Sequence, residues 1–238
     1  MEIRRLIILA GGFGTRLSSI INDVPKPLAP INGKPFLYYI LEKWIENGIT
    51  EIIFLLHHRA EQIITFVNSE KEFGVLANCD IQFIVENKPL GTGGSIANAV
   101  MKLKLTDSFI VTNADTWLSS GYGEIVKSPI NSIGITKINN AARFGTVKVL
   151  EEKVVGFKEK TDVAKPGWIN AGIYHLNSEI FVGQEGYFSL ETDIFPKLIR
   201  DNKLKAISID TEFIDIGIPD DYQRFCDWIN EGKSYKLK

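Results

Sequence analysis

Three glycines, an arginine and a lysine form the first chemistry-bearing group in the chain. Gly11, Gly12 and Gly14 follow the apolar run that ends at Ala10, Arg16 comes just after them, and Lys26 stands between Pro25 and Pro27. Glycines have no Cβ, so backbone N–H groups there can approach a triphosphate, and the arginine and lysine put positive charge where phosphates would lie. Two better-known phosphate loops are excluded. No Gly-Lys-Ser/Thr follows, as a P-loop needs, and Leu17 stands where a dinucleotide fingerprint has its third glycine. A glycine-x-glycine alone reads as a turn; Arg16 and the rigid prolines around Lys26 make this one an anion cradle.

Carboxylates recur at the ends of apolar runs further on. Glu86 opens the stretch that continues to Gly94, Asp115 follows the run 109–113, and Asp215 lies in Phe213-Ile214-Asp215-Ile216-Gly217. Two carboxylates with phosphate oxygens are the hard-oxygen set that Mg²⁺ prefers. Taken alone, Asp215 reads equally well as the cap of a turn.

The run Gly11 to Leu17, then residues 18–24, then Pro25-Lys26-Pro27 resembles the signature of the sugar-phosphate nucleotidyltransferases. Within them the chain is most similar to the D-glycero-α-D-manno-heptose 1-phosphate guanylyltransferases, through Pro25 to Ile31, Lys88 to Gly94, Arg143 to Val147 and Phe213 to Gly217. The resemblance runs from Leu6 to about Tyr222. It implies nucleotide-binding roles for Leu9, Ala10, Gly11, Gly12, Gly14, Thr15, Arg16, Glu86, Pro89, Gly91 and Thr92. It implies catalytic roles for Arg16, Lys26 and Asp115, and a Mg²⁺ site at Asp115 and Asp215. Gly145, Glu159, Lys160, Asn170 and Gly172 would bind the sugar phosphate, with Lys160 pairing the phosphate and Glu159 accepting from hydroxyls.

In the resembled family the residue at the place of Glu86 reads the Watson–Crick edge of the base. A carboxylate only accepts hydrogen bonds, and guanine offers adjacent N1–H and N2–H donors, so Glu86 points to GTP, and Gly91 would let the backbone come close to the base. One departure is visible: the family's Asn-Gly-Asp is here Asn113-Ala114-Asp115, and the added methyl would narrow the sugar pocket. The implied reaction is attack by a sugar 1-phosphate oxygen on the α-phosphorus of an NTP, giving GDP-heptose and pyrophosphate for a capsule, lipopolysaccharide or S-layer glycan. That nucleophile is already an anion, which agrees with the lack of a Ser or Cys triad. The rivals are a cytidylyl- or uridylyltransferase, a nucleotide-binding regulatory protein, which would be expected to lack a metal carboxylate, and a glycosyltransferase, which would show Asp-x-Asp.

These residues need elements to hold them. The run 5–10 reads as a central parallel strand. A helix follows from Pro35, with Phe36, Leu37, Ile40, Leu41, Trp44 and Ile45 on one face and Gly48 at its C-terminal cap. Strands 52–56, 81–85 and 109–113 alternate with helices 60–67 and 94–100. Extended runs 133–138, 146–150, 154–158 and 169–174 then crowd together, before helices 191–200 and 220–229. The pattern predicts an α/β fold: a Rossmann-like, mostly parallel sheet flanked by helices, with an antiparallel insertion; the resemblance implies that the insertion binds the sugar and that the whole is the nucleotide-diphospho-sugar transferase fold. One domain spans 1–238, with a nucleotide-binding half to about 118 and a lid-like sugar-phosphate half beyond. His57-His58-Arg59 reads as a loop; Trp44 and Trp228 read as core, whereas Trp117 and Trp168 flank site residues and would shape the sugar pocket.

Composition sets the outer bounds. In 238 residues, 27 Lys and Arg against 29 Asp and Glu give a net charge of −2, so no global positive field exists for nucleic acid or anionic membrane. An anionic ligand must be met by a local pocket. Two cysteines are too few for a disulfide scaffold or a structural zinc site. The apolar run near the N-terminus is too short for a secretion signal, and no run is long enough to span a membrane. A cytoplasmic enzyme is expected, with an NTP and a sugar 1-phosphate as partners; the sequence leaves subunit number open and allows a homo-oligomer.

Overall fold

In the computed structural model, which describes residues 4–14, 16–17, 20–158 and 164–231, the first strand sets the layering. Successive side chains of a strand point to opposite faces. In β1 (Arg5–Ala10), Leu6, Ile8 and Ala10 join one apolar core and Ile7 joins another. A strand buried on both sides belongs inside a sheet covered on both faces.

A short hairpin of β2 (Pro30–Ile31) and β3 (Lys34–Pro35) leads into α1 (Phe36–Glu46), followed by β4 (Glu51–Leu56), α2 (Ala60–Phe73), β5 (Asp80–Val85), α3 (Gly91–Leu103) and β6 (Ser108–Asn113). The remainder is β7 (Thr116–Leu118), α4 (Tyr122–Val126), β8 (Ser132–Ile138), β9 (Thr146–Leu150), β10 (Lys153–Lys158), β11 (Gly167–Asn177), α5 (Phe195–Arg200), β12 (Lys205–Ser208), β13 (Phe213–Asp215) and α6 (Pro219–Asn230). Nine strands form one sheet in the order β5-β4-β1-β6-β11-β8-β12-β10-β9. Strands β5, β4, β1 and β6 run parallel, and β11 lies antiparallel between β6 and β8. The α/β architecture is as expected, with one sharpening: the antiparallel strands of the second half extend the same sheet rather than standing apart from it.

Helices α1, α2 and α6 cover the face where Phe36, Trp44, Phe54 and Phe225 pack; α3 and α5 cover the other with Ile96, Val100, Phe195 and Leu198. Helix α1 forms as its periodicity predicts: Pro35 is extended at its N-cap, Asn47 is the C-cap, and Gly48 follows at φ +87°. Two helices run longer than the pattern suggests. Beyond Val67 no residue of α2 is buried, so its last turns leave no apolar stripe to read, and α3 begins at Gly91 among glycines of weak helix propensity. The predicted helix 191–200 opens instead as a π-helical turn, Leu190–Ile194, before α5. No described helix is long and apolar enough to cross a membrane.

Candidate active site

From β1 the chain runs outward through β4 to β5, then returns to lay β6 on the other side of β1. Loops leaving the carboxyl ends of β1 and β6 therefore diverge, and open α/β sheets bind ligands in that crevice. Gly11 to Gly14 leave β1 there, and Ala114 and Asp115 leave β6. Two adjoining clefts result, of about 160 Å³ and 440 Å³, sharing Leu9, Gly12 and Asp115.

The smaller cleft gathers the charged residues. Ala10, Gly12, Gly14, Arg16, Lys26, Ala114, Asp115 and Gly217 line it. Gly14 has φ +65°, and a Cβ there would lie 3.0 Å from Lys26 Cβ, so the turn needs glycine both for its backbone and for the approach of the lysine. Lys26 Nζ lies 2.7 Å from Asp115 Oδ2 and 3.2 Å from Asp215 Oδ1, and its side chain is only 9% exposed. The ribbon of β13 and β7 makes this convergence: Asp215 pairs with Thr116, and Ile216 N–H donates to Asp115 O. Gly217 N–H fixes Asp215 Oδ1 at 2.8 Å, and Thr116 Oγ1 donates to Asp115 Oδ1.

Two carboxylates converging on one ammonium also suit a divalent cation, for which Lys26 Nζ is a stand-in. Among the described residues no cluster of three or more metal-ligating side chains exists, so a cation here would take its other ligands from phosphate oxygens and water.

The larger cleft holds Glu86, Pro89, Gly91 and Thr92, expected on the base side, together with Gly11, which the sequence places in the triphosphate cradle. Glu86 is 8% exposed. Its Oε2 accepts from Leu90 N–H at 3.2 Å, whereas Oε1 is buried with no partner among the described residues. The His57-His58-Arg59 segment is a loop, yet His57 Nδ1 meets Glu86 O at 2.8 Å and so steadies the backbone that carries the carboxylate. Gly91 has φ +73°, and the space its Cβ would take is held by Phe188 O at 2.5 Å. Its glycine therefore admits the segment around Phe188, whose carbonyl also accepts from Gly93 and Gly94 N–H. Sequence reasoning missed Phe13, Ser95, Asn113 and Tyr187, which also line this cleft; Phe13 and Tyr187 are exposed aromatics, the one signal that could have found them.

The sugar-side residues divide. Asn170 and Gly172 sit at an irregularity in β11, and a Cβ on Gly172 would come within 2.9 Å of Asn113 Nδ2, at the wall of the larger cleft. Gly145 instead lines a separate hollow of about 350 Å³ with Lys148, Lys158, Lys165 and Trp168. Thr15, Glu159 and Lys160 lie outside the described residues. Arg143 is bound to Asp221 at 2.6 Å. Trp117 is core, packed against Phe225 and Trp228, which corrects its expected place in the sugar pocket: β7 turns its ring inward. The Ala114 methyl is buried in the wall of the smaller cleft.

The pattern of the family described as Nucleotidyl transferase matches residues 5–230. The chain belongs to that family. The transferase is 38% identical over 229 residues to the D-glycero-alpha-D-manno-heptose 1-phosphate guanylyltransferase of Campylobacter jejuni subsp. jejuni serotype O:2, covering 92% of this chain and 97% of that protein. It is 34% identical to the protein of the same name from Aneurinibacillus thermoaerophilus, covering 92% and 95%. Its structure is similar to the crystal structure of HddC from Yersinia pseudotuberculosis complexed with GMP-PN, with a TM-score of 0.82, 36% identity, and coverage of 95% of this chain and 100% of that one. The transferase is thus a sugar-1-phosphate nucleotidyltransferase.

Proposed function

We propose that the transferase joins GTP to D-glycero-α-D-manno-heptose 1-phosphate, with Mg²⁺, to give GDP-heptose and pyrophosphate for a surface glycan. The observation that carries the base is Glu86: one carboxylate oxygen is taken by Leu90 N–H, and the other is buried in the larger cleft without a donor among the described residues. A buried acceptor without a donor bears its desolvation cost until a ligand supplies one. Guanine supplies N1–H and N2–H on one edge; uracil and thymine offer only a single N–H there, beside carbonyl oxygens that a carboxylate repels. The heptose is supported by the names of the two bacterial relatives above.

In the reaction an oxygen of the sugar phosphate bonds to the α-phosphorus as the bond to the β-phosphate bridging oxygen breaks, and pyrophosphate leaves with that electron pair. Arg16 and the backbone of the glycine loop hold the triphosphate and neutralise its charge. Asp115 and Asp215 are the residues that would hold Mg²⁺, whose role when bound is to offset charge on the reacting phosphates. With those carboxylates holding a cation, Lys26 would be available to hold the incoming phosphate, a role Lys160 would share. No side chain need remove a proton, because the nucleophile is anionic at neutral pH.

Pyrophosphate release with four NTPs against a panel of sugar 1-phosphates, in wild type and Glu86→Gln, tests this. GTP with the heptose phosphate should turn over fastest, and Glu86→Gln should lower kcat/KM for GTP by about tenfold or more, the worth of one charge-assisted hydrogen bond. An unchanged GTP preference in the variant rejects the base assignment.

A further inference from the structure

Glu191 lines neither cleft, yet its carboxylate ties the base side to the acceptor side. Oε2 accepts from Thr92 Oγ1 at 3.1 Å and from Ser189 Oγ at 2.7 Å. Thr92 Oγ1 in turn accepts from Leu190 N–H at 2.9 Å, so the first turn of α3 is clasped from both directions. On its other side, Glu191 Oε1 accepts from Tyr174 Oη at 3.4 Å. Tyr174 Oη accepts from Asn170 Nδ2 at 2.8 Å, and Asn170 Oδ1 accepts from Gly172 N–H at 2.9 Å.

The series has one polarity. A carboxylate can only accept, so Tyr174 must give its proton to Glu191 and receive from Asn170. Full burial and the nearby Glu191 charge hold the Tyr174 phenol well above its ordinary value, so it stays a donor at any physiological pH. Gly172 N–H, at the opposite end, demands the Asn170 carbonyl. The amide is thereby left a single orientation. Glu191 itself stands in the π-helical turn Leu190–Ile194, an irregularity of the kind often found beside functional sites.

We propose that Glu191 is a positioning residue that holds Asn170 and Thr92, in the first turn of α3, in one hydrogen-bonded unit, so that binding of the nucleotide at one end favours binding of the sugar phosphate at the other. This rests on the reading of Asn170 as a sugar-phosphate residue. The physical basis is a shared support: the hydrogen bonds that hold Thr92 and those that hold Asn170 meet on one carboxylate, so a ligand that favours the bonded arrangement at one end favours it at the other.

Calorimetric binding of D-glycero-α-D-manno-heptose 1-phosphate, with and without a non-hydrolysable GTP analogue, tests the proposal in the full chain. In wild type the analogue should tighten sugar-phosphate binding by about tenfold, within the usual span of coupling between sites. Tyr174→Phe, which keeps the ring and removes the relay oxygen, and Thr92→Val, which breaks the base-side end, should each bring that factor close to one; Glu191→Gln, which keeps an acceptor, should retain part of it. Because Thr92 is far from the buried Tyr174 hydroxyl in sequence, either variant serves if the other folds poorly. A factor of one in wild type, or an unchanged factor in the folded variants, overturns the proposal. Asn170→Ala separates the two readings: if it leaves sugar-phosphate affinity intact, the assignment of Asn170 falls and the relay with it. If it weakens that affinity while Tyr174→Phe and Thr92→Val keep wild-type coupling, the relay alone is wrong.

Discussion

Lys26 lies between Asp115 and Asp215, where the proposed divalent cation would sit, and its single charge offsets part of the charge of the two carboxylates. Removing the ammonium would leave two neighbouring carboxylates with no cation, a costly arrangement that any metal relieves. Lys26→Met should therefore bind Mn²⁺ more tightly than wild type in the absence of nucleotide, by about tenfold in a paramagnetic titration, while pyrophosphate release collapses. A variant that binds Mn²⁺ no better than wild type would show that the carboxylates do not form the metal site. Arg16→Ala should lower turnover by about 10²–10³, the usual loss when one preorganised charge partner is removed, with its circular dichroism unchanged. Near-normal release would reject the cradle. Arg16 and Lys26 were legible in the sequence because glycine and proline spacing is itself a geometric statement. The solitary oxygen of Glu86 was not, since it depends on Leu90 N–H taking the other one.

At the scale of elements, the strands buried on both faces announced themselves and the helices only partly did. Strand β1 and its neighbours are near-continuous apolar runs, whereas the outer turns of α2 face solvent and the start of α3 is built from glycines. Those glycines are explained by a segment far along the chain: Phe188 O sits where a Cβ on Gly91 would be, and it accepts from the N–H groups of Gly93 and Gly94. Gly91→Ala should destabilise by about 1–2 kcal/mol from its left-handed backbone alone, and more once the Phe188 carbonyl is pushed away. Thermal melting should fall by about 2–4 °C for each kcal/mol lost, with KM for the nucleotide raised because Thr92 and Pro89 move too. A melting temperature equal to wild type would mean that the segment around Phe188 is not held by this contact.

For the molecule as a whole, β11 joins the two halves into one sheet, and His175 lies within it, paired with Ile110 on one side and Ser132 on the other. Its Nδ1 lies 2.8 Å from Ser128 O, and Nε2 is buried without a partner among the described residues. Burial holds its pKa below the ordinary value, so the folded protein keeps the ring neutral. Because the folded pKa is depressed, the unfolded chain takes up the proton first as pH falls below about 6.5. Stability is then full above that pH and lost as pH falls toward the lower folded value. Melting temperature should decline from pH 7 to 5, and His175→Asn, whose amide nitrogen takes the place of Nδ1 and can still donate to Ser128 O, should flatten part of that decline. An unaltered slope in the variant would place the acid sensitivity elsewhere.

What the amino-acid sequence determined by itself is whatever short-range chemistry dictates: a glycine-rich turn at the end of a buried strand, a lysine between prolines, carboxylates after apolar runs, and alternating strands and helices that must build an α/β sheet. What only the tertiary structure decided is which of these meet. Asp115 and Asp215 converge on Lys26 because β7 pairs with β13, and Trp117 turns into the core for the same reason. Gly145 faces its own hollow, while Thr92, Glu191, Tyr174 and Asn170 come into one line of hydrogen bonds. Strand order and register bring these distant residues together, and no local spacing encodes either.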